Sequence, residues 1–112
     1  MSSIQIFGIK NCADTRKAER FFKERRVKYQ FINLAEKGMS KGELTSVKNA
    51  VGLDNLIDEQ GKEYKKAQLG YMDFDLEDKL LENPLLIKTP VVRKGNKASV
   101  GYVPEVWKSF IE

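Results

Sequence analysis

Residues 4–32 read as strand, helix, strand, and few folds can begin that way. Ile4-Gln5-Ile6-Phe7 alternates weakly and is rich in β-formers, which predicts a strand ended by Gly8. A helix is expected over roughly 12–26, with Ala18, Phe21 and Phe22 as its apolar stripe. Arg16, Lys17, Arg20, Lys23 and Glu24 are left for solvent. Lys28-Tyr29-Gln30-Phe31-Ile32 alternates again and predicts a second strand. A helix of that length can carry the chain back along a sheet. The two strands should therefore be parallel and joined by a right-handed crossover.

The middle of the chain changes character. Ser40 and Glu43 have capping-box spacing, Leu44, Val47 and Val51 mark one helical face, and Gly52 stops it. A further turn is expected over Leu53–Ile57, and helices over Glu63–Leu69 and Asp73–Glu82, the last stopped by Asn83-Pro84. The end returns to β structure. Leu85-Leu86-Ile87 leads through Thr89-Pro90 to Val91-Val92-Arg93, then a Lys94-Gly95-Asn96-Lys97 turn and a return strand Ala98-Ser99-Val100. Val103, Val106, Trp107, Phe110 and Ile111 give a final amphipathic helix. The sum is an α/β chain with a small mixed sheet flanked by helices. One domain spans 1–112, its core formed by 1–35 and 84–112, with 36–83 as a helical insert between a βαβ and a ββα unit. Trp107, Phe110 and Phe22 are expected in the core and Tyr102 in a structural role.

Composition narrows the chemistry. The chain has one cysteine, Cys12, and no histidine. That removes an internal disulfide, a zinc site, and Cys-His or Ser-His-Asp catalysis. No run approaches the roughly 20 apolar residues of a membrane span. With no charged-then-apolar start to suggest a secretory signal, a free thiol points to the cytoplasm. The net charge of +4 is uneven: residues 1–37 hold nine bases against four acids, and the remainder eleven against twelve. All the positive excess therefore accompanies Cys12. A solvated helix face explains it better than a nucleic-acid surface, because no aromatic is interleaved on the exposed side.

Cys12 falls where the first strand turns into the helix. Free N–H groups and the helix dipole at such a position stabilise an anion and lower a thiol pKa. Asn11 is the expected N-cap, Asp14 the favourable acid of the first turn, and Lys10, Arg16 and Lys17 nearby positive charge. This is how a chain without histidine could make a nucleophile. Thr89-Pro90 is the second feature: a proline at the start of a strand, where a cis bond can expose the preceding backbone to a ligand.

Ile6-Phe7-Gly8-Ile9-Lys10-Asn11-Cys12 followed by Arg16-Lys17-Ala18 resembles the opening of the arsenate reductase family, which includes YffB-type proteins and Spx-type transcription regulators. Asn83-Pro84-Leu85-Leu86-Ile87-Lys88-Thr89-Pro90-Val91-Val92 resembles its second signature, and Val100-Gly101-Tyr102 with the final helix its ending. The resemblance implies a thioredoxin-like fold with Thr89-Pro90 at the cis-proline position. It implies Cys12 as nucleophile, with Lys10, Asn11, Thr15 and Arg16 around the thiolate. Lys88, Thr89, Pro90 and Arg93 become candidates for holding substrate or glutathione. Three departures stand out. Thr15 occupies the place of a second cysteine, Thr89 that of the arginine before the proline, and Tyr102 lies near the place of a final arginine. The Leu53–Lys62 stretch also lacks the insert arginine and carries Asp54, Asp58 and Glu59 instead. An oxyanion needs bidentate cations, so the arsenate clamp is largely missing. The expected activity is a monothiol reductase with no bound cofactor and glutathione as co-substrate, working as a monomer with glutathione or glutaredoxin. The alternative is a Spx-like binding module contacting RNA polymerase or another protein.

Overall fold

The computed structural model describes residues 4–58, 64–65 and 76–111. Strand β1 (Ile4–Gly8) leads to helix α1 (Ala13–Glu24) and strand β2 (Tyr29–Asn33). Helix α2 (Lys41–Val51), a 3₁₀ turn (Leu53–Asn55), helix α3 (Leu76–Glu82) and a second 3₁₀ turn (Pro84–Leu86) follow. Strands β3 (Val91–Lys94) and β4 (Lys97–Val100) form a hairpin, and helix α4 (Pro104–Phe110) closes the chain. The sheet order is β2-β1-β3-β4. β1 pairs parallel with β2 and antiparallel with β3. This mixed four-stranded sheet with flanking helices is thioredoxin-like.

The central strand is apolar on both faces because both faces are covered. Ile4 and Ile6 join Ala18 and Phe22 of α1, Val92, and Trp107 and Phe110 of α4 in one core. Phe7 points the other way, into a core with Ile32, Leu44 and Val47 of α2, Leu80 of α3, and Val91. Alternate residues of one strand thus feed two cores. The stretch 36–83 supplies the helices of the second layer and shares its core. Trp107 is fully buried and donates from Nε1 to Ser99 Oγ at 3.0 Å, which satisfies its polar edge.

Local signals explain most element ends. Ser40 accepts from the Glu43 amide at 3.1 Å, and Glu43 Oε1 accepts from the Ser40 amide at 2.9 Å, which completes the capping box. Gly52 ends α2 at φ 87°. The 95–96 turn uses Gly95 at φ 62°. Three expectations change. Asn11 caps nothing: the N-cap is Cys12, with no side-chain cap bond. Leu85–Ile87 is no strand, because Pro84 opens a 3₁₀ turn capped by Asn83 Oδ1 and only Ile87 bridges to Ile57. Val106 is exposed although it fits the apolar spacing. The helix expected over Glu63–Leu69 is seen only at Tyr64 and Lys65. Its other residues, and Asp73 to Asp75, lie outside the described residues.

Arg26 closes α1 in the left-handed region at φ 58°. Its amide donates to Lys23 O at 3.0 Å and that of Val27 to Phe22 O at 2.9 Å, the two bonds of a Schellman ending. A side chain pays a steric penalty there that glycine avoids. Arg26→Gly should raise stability by about 0.5–1 kcal/mol, read as a higher urea midpoint at unchanged m. Phe22→Ala, by contrast, should cost about 3–5 kcal/mol.

Candidate functional site

The site lies where β1 ends. Gly8 is buried and its backbone packs against Thr15: a Cβ at position 8 would sit 2.5 Å from both Thr15 Cγ2 and Thr15 Oγ1. The strand end and the first turn of α1 therefore meet without a side chain between them. From Gly8 the chain turns through Ile9–Asn11, and the Cys12 amide donates to Ile9 O at 3.1 Å. Cys12 O then accepts from the Arg16 amide at 3.2 Å, the first bond of the helix. The thiol is half-buried and free.

The opposite wall comes from the other end of the sequence. The Phe7–Val91 pairing brings the start of β3 beside the end of β1. The Thr89–Pro90 peptide is cis, and Pro90 O accepts from the Gly101 amide at 2.9 Å. The segment before it is held by the Lys88 amide, which donates to Leu56 O at 2.6 Å. Thr89 Oγ1 then donates to Cys12 Sγ at 3.1 Å. Thr89 O stands at 4.0 Å from the same sulfur, a weak acceptor for the thiol proton.

Partial burial pushes the Cys12 thiol up, but four donors outweigh it and hold the pKa below its ordinary value. They are the Thr15 hydroxyl, the Thr89 hydroxyl, and the amides of Thr15 and Asp14. The Thr15 hydroxyl is fully buried and, among the described residues, has no partner of ordinary hydrogen-bond geometry. The Thr89 hydroxyl, by contrast, meets the sulfur with hydrogen-bond geometry.

The cations do less than the sequence suggests. Lys10 and Asn11 are exposed and give the sulfur no hydrogen bond. Arg16 turns back and donates from Nη1 to Lys10 O at 2.8 Å, so its guanidinium supports the loop. Lys88 is exposed as well. Arg93 sits further along β3, opposite Gln5, and donates to Gln5 Oε1 and to Ser46 Oγ. It ties the sheet to α2, away from the thiol. The free helix-start amides expected at Cys12 are those of Asp14 and Thr15, whereas the bare backbone of Gly8 was missed. Only the position of Cys12 at the helix start signalled the amides. Among the described residues no group of three Cys, His, Asp and Glu side chains converges as a metal site would need.

A model of the ArsC family matches residues 7–110. The chain belongs to the ArsC family. It is 28% identical over 115 residues to the Global transcriptional regulator Spx 2 of Oceanobacillus iheyensis, covering 97% of this chain and 84% of that protein. It superposes on a solved YFFB protein with a TM-score of 0.84 at 25% identity, covering 98% of this chain and all of that one (100%). An arsenate reductase from Vibrio cholerae superposes with a TM-score of 0.82 at 23% identity, covering 97% and 98% of the two chains.

Two outcomes follow for this ArsC-family thiol. Iodoacetamide should alkylate Cys12 at a rate that rises with pH and reaches half its maximum below about 8.5, the midpoint of an unperturbed thiol. Thr89→Val keeps the shape and removes one donor to the thiolate, so it should move that midpoint upward. An unchanged midpoint in Thr89→Val would show that the hydroxyl does not stabilise the anion.

Proposed function

We propose that this chain is a monothiol thiol–disulfide exchange protein that takes up and releases glutathione at Cys12. The observation that carries the reading is the Thr89 Oγ1–Cys12 Sγ contact of 3.1 Å at a helix N-cap beside a cis-proline. In the first step the Cys12 thiolate attacks the glutathione sulfur of a glutathione-containing disulfide. A new S–S bond forms to Cys12, the old one breaks, and the other half leaves as a thiolate. In the second step a thiolate of glutathione or glutaredoxin attacks the glutathionyl sulfur, and Cys12 leaves as thiolate. The electron pairs balance, and no second cysteine is needed.

The residues divide the work simply. Cys12 is the nucleophile. The hydroxyls of Thr89 and Thr15 and the amides of Asp14 and Thr15 hold the anion before attack and after release. The Thr89 backbone offers an edge along which the glutathione chain lies as a short added strand, flanked by Pro90 and Lys88. Arsenate fits poorly. Arg16 and Arg93 are engaged elsewhere, and an exposed Asp54 adds negative charge on the insert side. Such a protein belongs in a glutathione-rich compartment, the cytoplasm.

Incubation with oxidised glutathione should give one glutathionyl adduct by intact mass, mapped to Cys12 and released by glutaredoxin. Cys12→Ser should give none. No adduct, or an alkylation midpoint at or above about 8.5, defeats the proposal. The similarity to the Spx 2 protein over most of the chain favours a second reading, a regulator that contacts RNA polymerase. Capture of purified polymerase that survives Cys12→Ser and is lost on charge reversal at Arg20 and Lys23 would support it. No capture would end it.

A further inference from the structure

A notch of about 270 Å³ lies between α1 and α4, on the face of α1 that carries Lys17, Arg20, Phe21, Glu24 and Arg25. Tyr102 and Trp107 complete it. It begins more than one helical turn beyond Cys12, and the chemistry of the thiol makes no use of it. We propose that this notch is a docking site for an acidic segment of a partner protein that inserts one apolar side chain.

Five observations select that occupant. The rim carries three cations, Lys17, Arg20 and Arg25, against one acid, Glu24. Arg20 is exposed and makes no ion pair among the described residues. Lys17 is held only loosely, at 3.9 Å from Asp14. This charge is available to carboxylates. The floor is apolar and prearranged: Phe21 and Tyr102 each meet Trp107 edge-on with centroids at 5.5 Å. Tyr102 is 52% exposed, a large aromatic left open to solvent beside a buried one.

The size excludes much else. Pockets that enclose a small molecule run to about 300–1,000 Å³, so this notch suits one side chain of a longer segment better than a free metabolite. The ring geometry argues against nucleic acid. Lys17 Nζ lies 5.1 Å from the Tyr102 centroid and Arg25 Cζ 3.7 Å from that of Phe21. A stacking base would have to displace a cation from a ring. Glu24 would also face the phosphates. For an acidic peptide the same cations lie beside the rings where carboxylates can reach them, and Glu24 sets register by rejecting an acid at one position.

Trp107 is the chain's single tryptophan, so binding can be read from intrinsic fluorescence. The probe is the blocked octapeptide Glu-Asp-Glu-Leu-Phe-Glu-Asp-Glu. Its controls are the same peptide with every acid replaced by its amide, and an eight-nucleotide poly-thymidine strand. The acidic peptide should give a saturable change in Trp107 emission. Binding should weaken at least tenfold for the amide peptide, and at least tenfold for Arg20→Glu combined with Arg25→Gln, both exposed positions. Tyr102→Ala should weaken it as well, and Cys12→Ser should leave it unchanged, so the result stands apart from the thiol chemistry. Three results would overturn the proposal: no saturation up to about 1 mM peptide, equal binding by the charge variant with an unchanged circular dichroism spectrum, or tighter binding by the oligonucleotide.

Discussion

The antiparallel pairing of β1 with β3 is the constraint on which everything else rests. It joins residues more than eighty positions apart and makes β1 an interior strand of the sheet. Only an interior strand needs apolar side chains on both faces, which is why Ile6 and Phe7, adjacent in sequence, belong to different cores. The same pairing determines where the two loops meet. With Phe7 opposite Val91, the residues following Gly8 and those preceding Val91 have no choice but to emerge side by side. The contact between Thr89 and Cys12 is a consequence of strand register, and a slip of one residue would abolish it.

Much of this was legible in the residues. The parallel β1–β2 pair followed from the length of the intervening helix, the capping box from Ser40 and Glu43, and the hairpin from Gly95-Asn96. These are local signals, each decided within a few residues. What failed was decided at a distance. Asn11 has an N-cap side chain, but the turn stabilised by the Cys12 amide to Ile9 O starts the helix one residue later. Arg93 is near the proline in sequence, yet strand geometry carries it away from the thiol and towards Gln5. Val106 has the right spacing and is left exposed. A pattern reports which side chains could face inward, and only the packed neighbour decides which do.

The electrostatics of the thiol separate in a way that charge counting obscures. The sequence pointed to helix-start amides at the cysteine, with the basic excess of the first 37 residues adding to them. The structure keeps the amides and adds hydroxyl dipoles, while the cations support a loop or line a notch further along α1. Dipoles of this kind are short-ranged and fixed by the backbone, so they respond little to salt. They also leave the sulfur without a companion charge that would attract an oxyanion. The groups that lower the thiol pKa and the cations, which an arginine-rich site combines, are kept apart in this chain.

Gly8 and Thr15 meet with no room to spare, and that contact limits how the site can diverge. Growth at position 8 and bulk at position 15 compete for the same few cubic ångströms. A lineage that enlarges one must first shrink the other, so substitutions at these two positions have an order, and the reverse order passes through a strained intermediate. Position 15 lies three residues after Cys12, so introducing a second cysteine there would alter a residue whose size the end of β1 already regulates.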